Sequence, residues 1–295
     1  MKKRRYLPSI LMVFLMISCM LFCVLPAYAA TVRTPIASGT ITYGTKTVHI
    51  DASNTKDGYI MMKYTGKAPR IKVRIKQSIE YTYDLNTSGQ FETFPLTEGS
   101  GDYTISVFEN IRDNMYSTAF TKKIQVTMED ANSTFLHPNQ FCNYNVDTKA
   151  IQTADELVKE IADTLEKVEV IYKYAIDNIS YDYEKAQTVK SGYLPNIDDT
   201  LETKKGICFD YSALMTSMLR TQDIPAKLVI GYAGNIYHAW ISVYTDKQGW
   251  VDNVIHFDGS SWKFMDPTFA SNGKNDPRIA EYINNPTNYI AKFSY

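Results

Sequence analysis

The sequence predicts an all-β region followed by an α+β region in a chain of 295 residues. Residues 31–130 contain short runs of β-branched and aromatic residues, separated by glycine-containing turns. Residues 154–179 carry two amphipathic helical stripes, and strand-like alternation returns beyond residue 226. We therefore expect an all-β domain at residues 31–130, a linker at 131–153 and an α+β domain at 154–295.

The first 29 residues have the pattern of an export leader. Basic residues 2–5 precede an apolar stretch at 10–25, and Ala27-Tyr28-Ala29 supplies the small-x-small pattern of a cleavage site. A membrane anchor is disfavoured because a proline follows the apolar stretch and no stop-transfer charges appear. A lipoprotein acceptor at Cys19 is a poorer match. We expect a secreted or cell-surface protein, cleaved after Ala29, with no membrane span after leader removal.

Charge and cysteine content limit the classes of partner. The chain has a net charge of −1, to which the leader contributes +4 from residues 2–5, leaving −5 after cleavage. A negative chain does not favour nucleic acid or an anionic membrane surface. Cys142 and Cys208 remain after cleavage, and in an exported protein they could form a disulfide, which would block Cys208 chemically.

The first region predicts an immunoglobulin-like β-sandwich. In residues 70–75 the alternation is strict, with Ile71, Val73 and Ile75 on one face and basic residues on the other. Roughly seven short strands in about 100 residues fit such a sandwich, although the antibody-type cysteine pair is absent. Its role could be spacing, recognition or solubility. The named strand candidates are residues 47–51, 59–64, 70–75, 103–108 and 120–126.

The second region begins with helices and leads to a cysteine. Apolar stripes predict core-facing helices at 154–165 and 167–179, followed by a loop over about 184–205. A loop of that length beside a candidate nucleophile is a reasonable place for substrate contacts. A further helix begins at about Cys208 and ends near Pro225. The helix dipole and unpaired N–H groups at its start favour a thiolate, although a buried small residue is the ordinary alternative.

Two later strands bring a histidine and an aspartate into consideration. Residues 227–232 form a β-branched run, while His238, Trp240, Ser242 and Tyr244 share one face of the next candidate strand. If residues 262–266 pair with that strand, the simplest register places His238 opposite Asp266, Trp240 opposite Phe264 and Ser242 opposite Trp262. Directly opposed β-carbons lie about 5 Å apart, within reach of an imidazole–carboxylate hydrogen bond. This pairing requires residues 245–259 to be an excursion, not a regular strand.

These three residues could form a catalytic triad. Cys208 would attack an amide carbonyl, His238 would move the proton and Asp266 would orient the imidazole. The Cys208 N–H is one candidate oxyanion donor. Each residue alone is a weak signal, because strand histidines are often structural and Asp before Pro is often a turn former. We expect His49, His137 and His256 to be non-catalytic, and no metal, phosphate-binding loop or organic cofactor.

The order of the motifs resembles the transglutaminase-like core of bacterial secreted proteins over about residues 155–270. That resemblance implies a papain-like α+β fold with Cys208, His238 and Asp266 as nucleophile, base and orienting acid. The insert between Val243 and Trp262 is longer than the family's usual connection. The matching segments are Ile176 to Asp182, Gly206-Ile207-Cys208-Phe209-Asp210-Tyr211-Ser212-Ala213, Ile224-Pro225-Ala226, Val229-Ile230-Gly231-Tyr232, His238-Ala239-Trp240 and Trp262 to Thr268.

The expected activity is cysteine-dependent acyl transfer on amide bonds of a protein or peptide, with the cell surface as one setting. By the resemblance, hydrolysis by a peptidase or amidase is slightly favoured over protein-glutamine cross-linking. Some animal relatives use calcium, but no acidic calcium-loop spacing is present. The alternative from another class is a non-enzymatic surface binding protein in which a disulfide blocks Cys208.

Overall fold

The computed structural model describes residues 30–252 and 288–295. The leader, Asp266 and the candidate strand 262–266 lie outside the described residues. Residues 42–126 form eight strands: β1 (Thr42–Gly44), β2 (Val48–Asp51), β3 (Tyr59–Tyr64), β4 (Ile71–Lys76), β5 (Glu80–Leu85), β6 (Glu92–Pro95), β7 (Gly101–Arg112) and β8 (Met115–Val126).

These strands make two four-stranded antiparallel sheets, ordered β1-β2-β3-β6 and β5-β4-β7-β8. Along β4 the apolar side chains are buried and the lysines and Arg74 point outward, as the alternation predicts. Tyr83 of β5 meets Phe94 of β6 edge-on, with ring centroids 5.1 Å apart, so the inner faces of the sheets pack together.

The five named strand candidates are all confirmed as strands or parts of strands, and β3 has the predicted bounds. Three strands were not named beforehand, β1, β5 and β6. Of these, β5 has a clear alternation: Tyr81, Tyr83 and Leu85 are buried while the residues between them are exposed.

The predicted helix 154–165 is wrong in its bounds. The structure has α1 at Lys149–Val158 and α2 at Thr164–Asn178. Asp163 caps α2, because its carboxylate accepts hydrogen bonds from the N–H groups of Leu165 and Glu166 at 3.0 and 3.1 Å. This cap assigns Leu165 to the second helix, and α1 also extends into the segment predicted as a linker.

The predicted loop 184–205 contains two short helices, α3 (Tyr183–Thr188) and α4 (Ile197–Thr203). Asn196 caps α4 by accepting from two backbone N–H groups of its first turn. Two short parallel strands, β9 (Ser180–Tyr181) and β10 (Lys205–Gly206), pair with each other. They hold the end of α2 beside the segment that leads into Cys208.

The central helix is α5 (Cys208–Arg220), which is buried along most of its length. It packs against β11 (Ala226–Ala233) and β12 (Ile236–Thr245) of a four-stranded sheet. That sheet is completed by β13 (Gly249–Asp252) and β14 (Tyr289–Ser294), in the order β13-β12-β11-β14. The strands predicted at 227–232 and 238–244 are therefore confirmed.

The predicted strand register is wrong at its far end. Ser242 pairs with Lys227 of β11 on one side and with Asp252 of β13 on the other, so it cannot pair with Trp262. Residues 245–259 are not wholly an excursion, because residues 245–249 form a tight turn and β13 follows directly. His238 pairs with Gly231 of β11, and its predicted partner Asp266 lies outside the described residues.

Arg220 joins the helix end to three other segments. Its fully buried guanidinium donates to the backbone carbonyls of Ala226 at 2.9 Å, His137 at 2.7 Å and Tyr295 at 2.6 Å. Because a buried cation is costly unless hydrogen-bonded, these contacts fix the linker, β11 and the segment after β14 to the end of α5.

None of the helices within residues 30–252 and 288–295 has the length and hydropathy that a membrane span requires.

Candidate functional site

Cys208 is the first residue of α5 and is partly exposed. The first N–H groups of a helix have no partner within it, so the Cys208 N–H is available at this end. Gly206 precedes the helix at a point of close approach. A Cβ there would lie 2.8 Å from the Cβ of Asp210, which a real side chain could not tolerate. The glycine therefore lets the helix start fold tightly around Asp210.

The Asp210 carboxylate is fully buried beneath the start of α5. Its oxygens accept from the Ile207 N–H at 2.8 Å, the Lys185 ammonium at 2.7 Å and the Tyr193 hydroxyl at 2.5 Å. Burial and the hydrogen bond to Asp210 raise the pKa of Tyr193 to about 12. Burial lowers the pKa of Lys185, but the hydrogen bonds to Asp210 and Tyr193 outweigh it and the net shift is upward. We call Asp210, Lys185 and Tyr193 the anchor cluster.

The anchor cluster ties the loop after α3 to the helix that carries Cys208. Lys185 lies in α3 and Tyr193 lies in the following loop, while Asp210 lies two residues beyond the nucleophile candidate, in the first turn of α5. Sequence reasoning missed this cluster. The signal available was an acidic residue at the third position of α5, which is typical of helix N-termini.

His238 lies near the start of β12 and is 5% exposed. Its ring stacks against Trp240 with centroids 6.3 Å apart, and Tyr289 of β14 lies 6.4 Å away. Its neighbour Tyr237 has a pKa raised by burial and by the nearby Tyr232 and Cys208 groups. The start of β12 therefore lies close to the start of α5.

Cys208 and His238 line the same cavity, which has a volume of about 710 Å³. A volume of this size is typical of a pocket for a small molecule or a short peptide. Several other parts of the chain contribute to its wall. They include the loop 189–194, the linker residues Gln140 and Phe141, and residues Lys72, Thr82, Tyr83 and Asp84 of the N-terminal sheet.

The loop therefore lies where its length and position predicted, beside the candidate nucleophile. The contribution of β4 and β5 to the cavity was not predicted from the sequence. It comes from the packing of β5 against the linker and the C-terminal residues, which no local pattern encodes. Tyr83 lies 6.0 Å from both Phe141 and Tyr295, measured between ring centroids.

Cys142 is fully buried and far less accessible than Cys208, and both thiols are free. Burial raises the pKa of Cys142 to about 11. Its thiol lies beside Thr216 and Arg220. Thr216 is about 12 Å along the helix from Cys208 at 1.5 Å per residue. Since a disulfide needs Cα atoms within about 7 Å, the structure gives no support to a Cys142–Cys208 bridge.

The other described histidines have structural surroundings. His49 shares a 3.1 Å hydrogen bond with Thr65 in the N-terminal sheets. His137 lies 2.9 Å from the Ser133 carbonyl, and burial lowers its pKa. Neither lines the cavity, and His256 lies outside the described residues. Within the described ranges, no cluster of three His, Cys, Asp or Glu side chains could hold a metal ion.

Residues 151–253 match the family profile of the transglutaminase-like superfamily. An uncharacterised protein, YebA, of Bacillus subtilis is 26% identical over 220 residues, covering 66% of this chain and 28% of that protein. A UPF0252 protein of Methanocaldococcus jannaschii is 27% identical over 246 residues, covering 74% of this chain and 67% of that protein. The chain thus spans under a third of the length of the first of these relatives.

A protein-glutamine gamma-glutamyltransferase of Pseudomonas aeruginosa is 36% identical over 70 residues, covering 19% of this chain and 10% of that protein. Among solved structures, a candidate cysteine protease of Cytophaga hutchinsonii is similar with a TM-score of 0.41 and 14% identity, covering 86% of this chain and 84% of that one. The red sea bream transglutaminase gives a TM-score of 0.30 and 13% identity, covering 71% of this chain and 48% of that one.

Proposed function

We propose that this protein is an exported cysteine-dependent acyl-transfer enzyme, because its residues 151–253 match the family profile of the transglutaminase-like superfamily. It acts on amide bonds of proteins or peptides through a thioester on Cys208. His238 is the general base and Asp266 the residue that orients it. Hydrolysis, as a peptidase or amidase, is the favoured outcome.

The observation that carries this proposal is the position of Cys208. It is a partly exposed thiol at the first position of a buried helix, and it opens onto a cavity that His238 also lines. Structural cysteines are normally enclosed, as Cys142 is, and a thiol at a helix start with access to a cavity is suited to nucleophilic attack.

The reaction follows from these groups. The Cys208 sulfur attacks the amide carbon while His238 takes the thiol proton, and the Cys208 N–H contributes to holding the oxyanion. His238 then returns the proton to the leaving nitrogen as the C–N bond breaks, which releases an amine or ammonia. Water or a lysine amine then attacks the thioester and gives a proton to His238. His238 passes this proton to the sulfur as the C–S bond breaks, which restores the thiol.

Amine transfer is the second candidate outcome. It is favoured by the short match to the Pseudomonas aeruginosa enzyme, whose name describes a protein-glutamine gamma-glutamyltransferase. The two outcomes differ only in the acceptor that reaches the thioester.

One assay tests the enzyme and separates the outcomes. The protein is incubated with β-casein and a fluorescent primary amine, and new peptide termini, released ammonia and incorporated amine are measured. New termini or ammonia without incorporated amine indicate hydrolysis, and incorporated amine indicates transfer. Full activity in Cys208→Ala would overturn the proposal, whichever product forms. Cys142→Ala, which removes the buried thiol, is the matched control.

The rival is a surface binding protein without catalysis. In this alternative a disulfide to Cys142 blocks Cys208. Both thiols are free in the structure, which does not favour such a disulfide. Mass spectrometry after alkylation by iodoacetamide without reductant distinguishes them, because an intact bridge would leave both cysteines unmodified.

We further propose that residues 1–29 are a cleaved leader, and that residues 31–130 and 154–295 are separate domains joined by residues 131–153. The two packed sheets of the first would form an immunoglobulin-like sandwich, and the second would have a papain-like fold. N-terminal sequencing of protein recovered from the culture medium should begin at Ala30.

A further inference from the structure

Strand β5 presents an open edge to the cavity. Within the part of the chain that the structure describes, β5 pairs with β4 alone. Its residues Thr82, Tyr83 and Asp84 line the same cavity as Cys208. An exposed strand edge is a template for another strand, and proteins normally cover or block it. Here the unpaired edge of β5 borders the proposed active-site cavity.

The backbone groups of Thr82 and Asp84 point away from β4. The Gln140 side chain, which belongs to the linker, donates to the Asp84 carbonyl at 2.6 Å, so this carbonyl has a partner outside the β4–β5 ladder. The backbone N–H and C=O groups of successive residues point to opposite sides of a strand, so residues two positions apart direct these groups to the same side. The N–H and C=O of Thr82 therefore also point away from β4, at a residue that lines the cavity.

The ladder on the other side of β4 leads to the same assignment. The Arg70 carbonyl accepts from the Asn110 N–H at 3.0 Å, toward β7. Residues an odd number of positions further along, such as Val73, must then direct their polar groups toward β5, where Val73 pairs with Tyr83. The backbone N–H and C=O of Tyr83 therefore point toward β4 and those of Thr82 point away from it. This assignment does not depend on the Gln140 contact.

We infer that the substrate of Cys208 is an extended polypeptide segment that adds to the open edge of β5 as a further strand. The Thr82 N–H and C=O and the Asp84 N–H would bind its backbone while the reacting amide lies at Cys208. This inference rests on the proposed function for the reacting amide. A small amide without a peptide chain would reach Cys208 but lack these bonds.

The cavity wall fits such a ligand. Backbone pairing supplies affinity without regard to side chains, and alternate side chains then enter pockets that set specificity. The wall is rich in aromatic rings, so a large apolar side chain beside the reacting amide is the expected preference. The rings belong to Tyr83, Phe141, Tyr181, Tyr193, Phe209, Tyr237 and Tyr295.

The test removes one cavity-facing donor. Thr82→Pro lacks the N–H that points away from β4 but leaves the hydrogen bonds between β4 and β5 intact. Proline is tolerated in an edge strand at positions whose N–H points away from the sheet. Glu80→Pro removes the equivalent outward N–H two residues earlier on β5, at a position that does not line the cavity. Circular dichroism and urea unfolding confirm that each variant is folded.

Two alkylating probes report on the site. Iodoacetamide measures access to the Cys208 thiol, and iodoacetyl-tetraalanine amide adds a chain that spans about 13 Å when extended. The second-order rate of the peptide probe is divided by that of iodoacetamide for every variant. We expect this ratio to fall about tenfold in Thr82→Pro, corresponding to one lost hydrogen bond, and to stay at the wild-type value in Glu80→Pro.

Amide hydrogen exchange gives a second readout. With the peptide attached to Cys208 of the wild type, the Thr82 and Asp84 amides should become protected. Equal probe ratios in all variants, with no added protection, would overturn the inference even if Cys208 is the nucleophile. If Cys208 is unreactive and Cys208→Ala keeps full activity, the proposed function fails instead, so the two failures are distinguishable.

Discussion

Removal of the Asp210 carboxylate should destabilise the protein more than removal of an ordinary helix cap. In Asp210→Ala, the Lys185 ammonium, the Tyr193 hydroxyl and the Ile207 N–H lose their shared acceptor at the base of α5. Breaking a buried, hydrogen-bonded charge pair costs about 3–5 kcal/mol. The Lys185 side chain is 29% exposed and can turn toward solvent, so we expect a loss near the lower end, about 3 kcal/mol.

Asp163→Ala is the matched control. Its carboxylate accepts two N–H groups at a helix start, but it is exposed and is the N-cap residue that precedes α2. Loss of such a cap costs about 1 kcal/mol. Urea unfolding, followed by circular dichroism, measures the free energy of unfolding of both variants.

A double variant separates the ion pair from other effects. Lys185→Met in the Asp210→Ala background removes the unpaired ammonium, so the double variant should be more stable than the sum of the two single losses predicts. The reasoning is refuted if Asp210→Ala is no more destabilising than Asp163→Ala, or if the two substitutions are additive. The iodoacetamide rate at Cys208 should fall in Asp210→Ala, because the helix start and the adjoining loop lose their common anchor.

Three further predictions concern buried groups. At pH 8 without denaturant, iodoacetamide should modify Cys208 but not Cys142, since burial raises the pKa of Cys142 to about 11; equal labelling by peptide mass spectrometry would contradict this. Arg220→Met should lower the free energy of unfolding by about 3 kcal/mol, because three backbone carbonyls each lose a hydrogen bond from the guanidinium; an unchanged free energy in urea unfolding would contradict this. The stabilisation due to the raised pKa of Tyr193 should be complete below pH 10 and lost as pH rises toward 12. The free energy of unfolding should therefore fall less steeply over this range in Tyr193→Phe, and parallel curves would exclude the effect.

The local elements of the site could be predicted from the sequence because local patterns encode them. The alternation of residues 238–244 defines β12, and the apolar stripe after Cys208 defines α5, which the structure places at Cys208–Arg220. The start of this helix is encoded locally by Gly206 and Asp210. Its end came earlier than expected, because Asp223 takes a left-handed conformation with φ of 58° before the proline.

The relations between elements were harder to predict. The β12–β13 hairpin was missed because Gly249, with φ of 72°, closes a turn that the sequence also permits as a longer excursion. The wall formed by β4 and β5 depends on contacts between segments that are distant in sequence, such as Asp84 with Gln140, 56 positions apart, and Tyr83 with Tyr295. The assignment of Asp266 as the orienting acid remains a prediction, since it lies outside the described residues.

The central claim is that Cys208 carries a covalent acyl group during turnover. Intact-protein mass spectrometry after rapid acid quenching of a reaction with β-casein peptides measures this directly. The account predicts an added mass that maps to Cys208, is released by hydroxylamine and is absent from Cys208→Ala. Turnover by the wild type without any acyl adduct, together with unchanged turnover in Cys208→Ala, would contradict it.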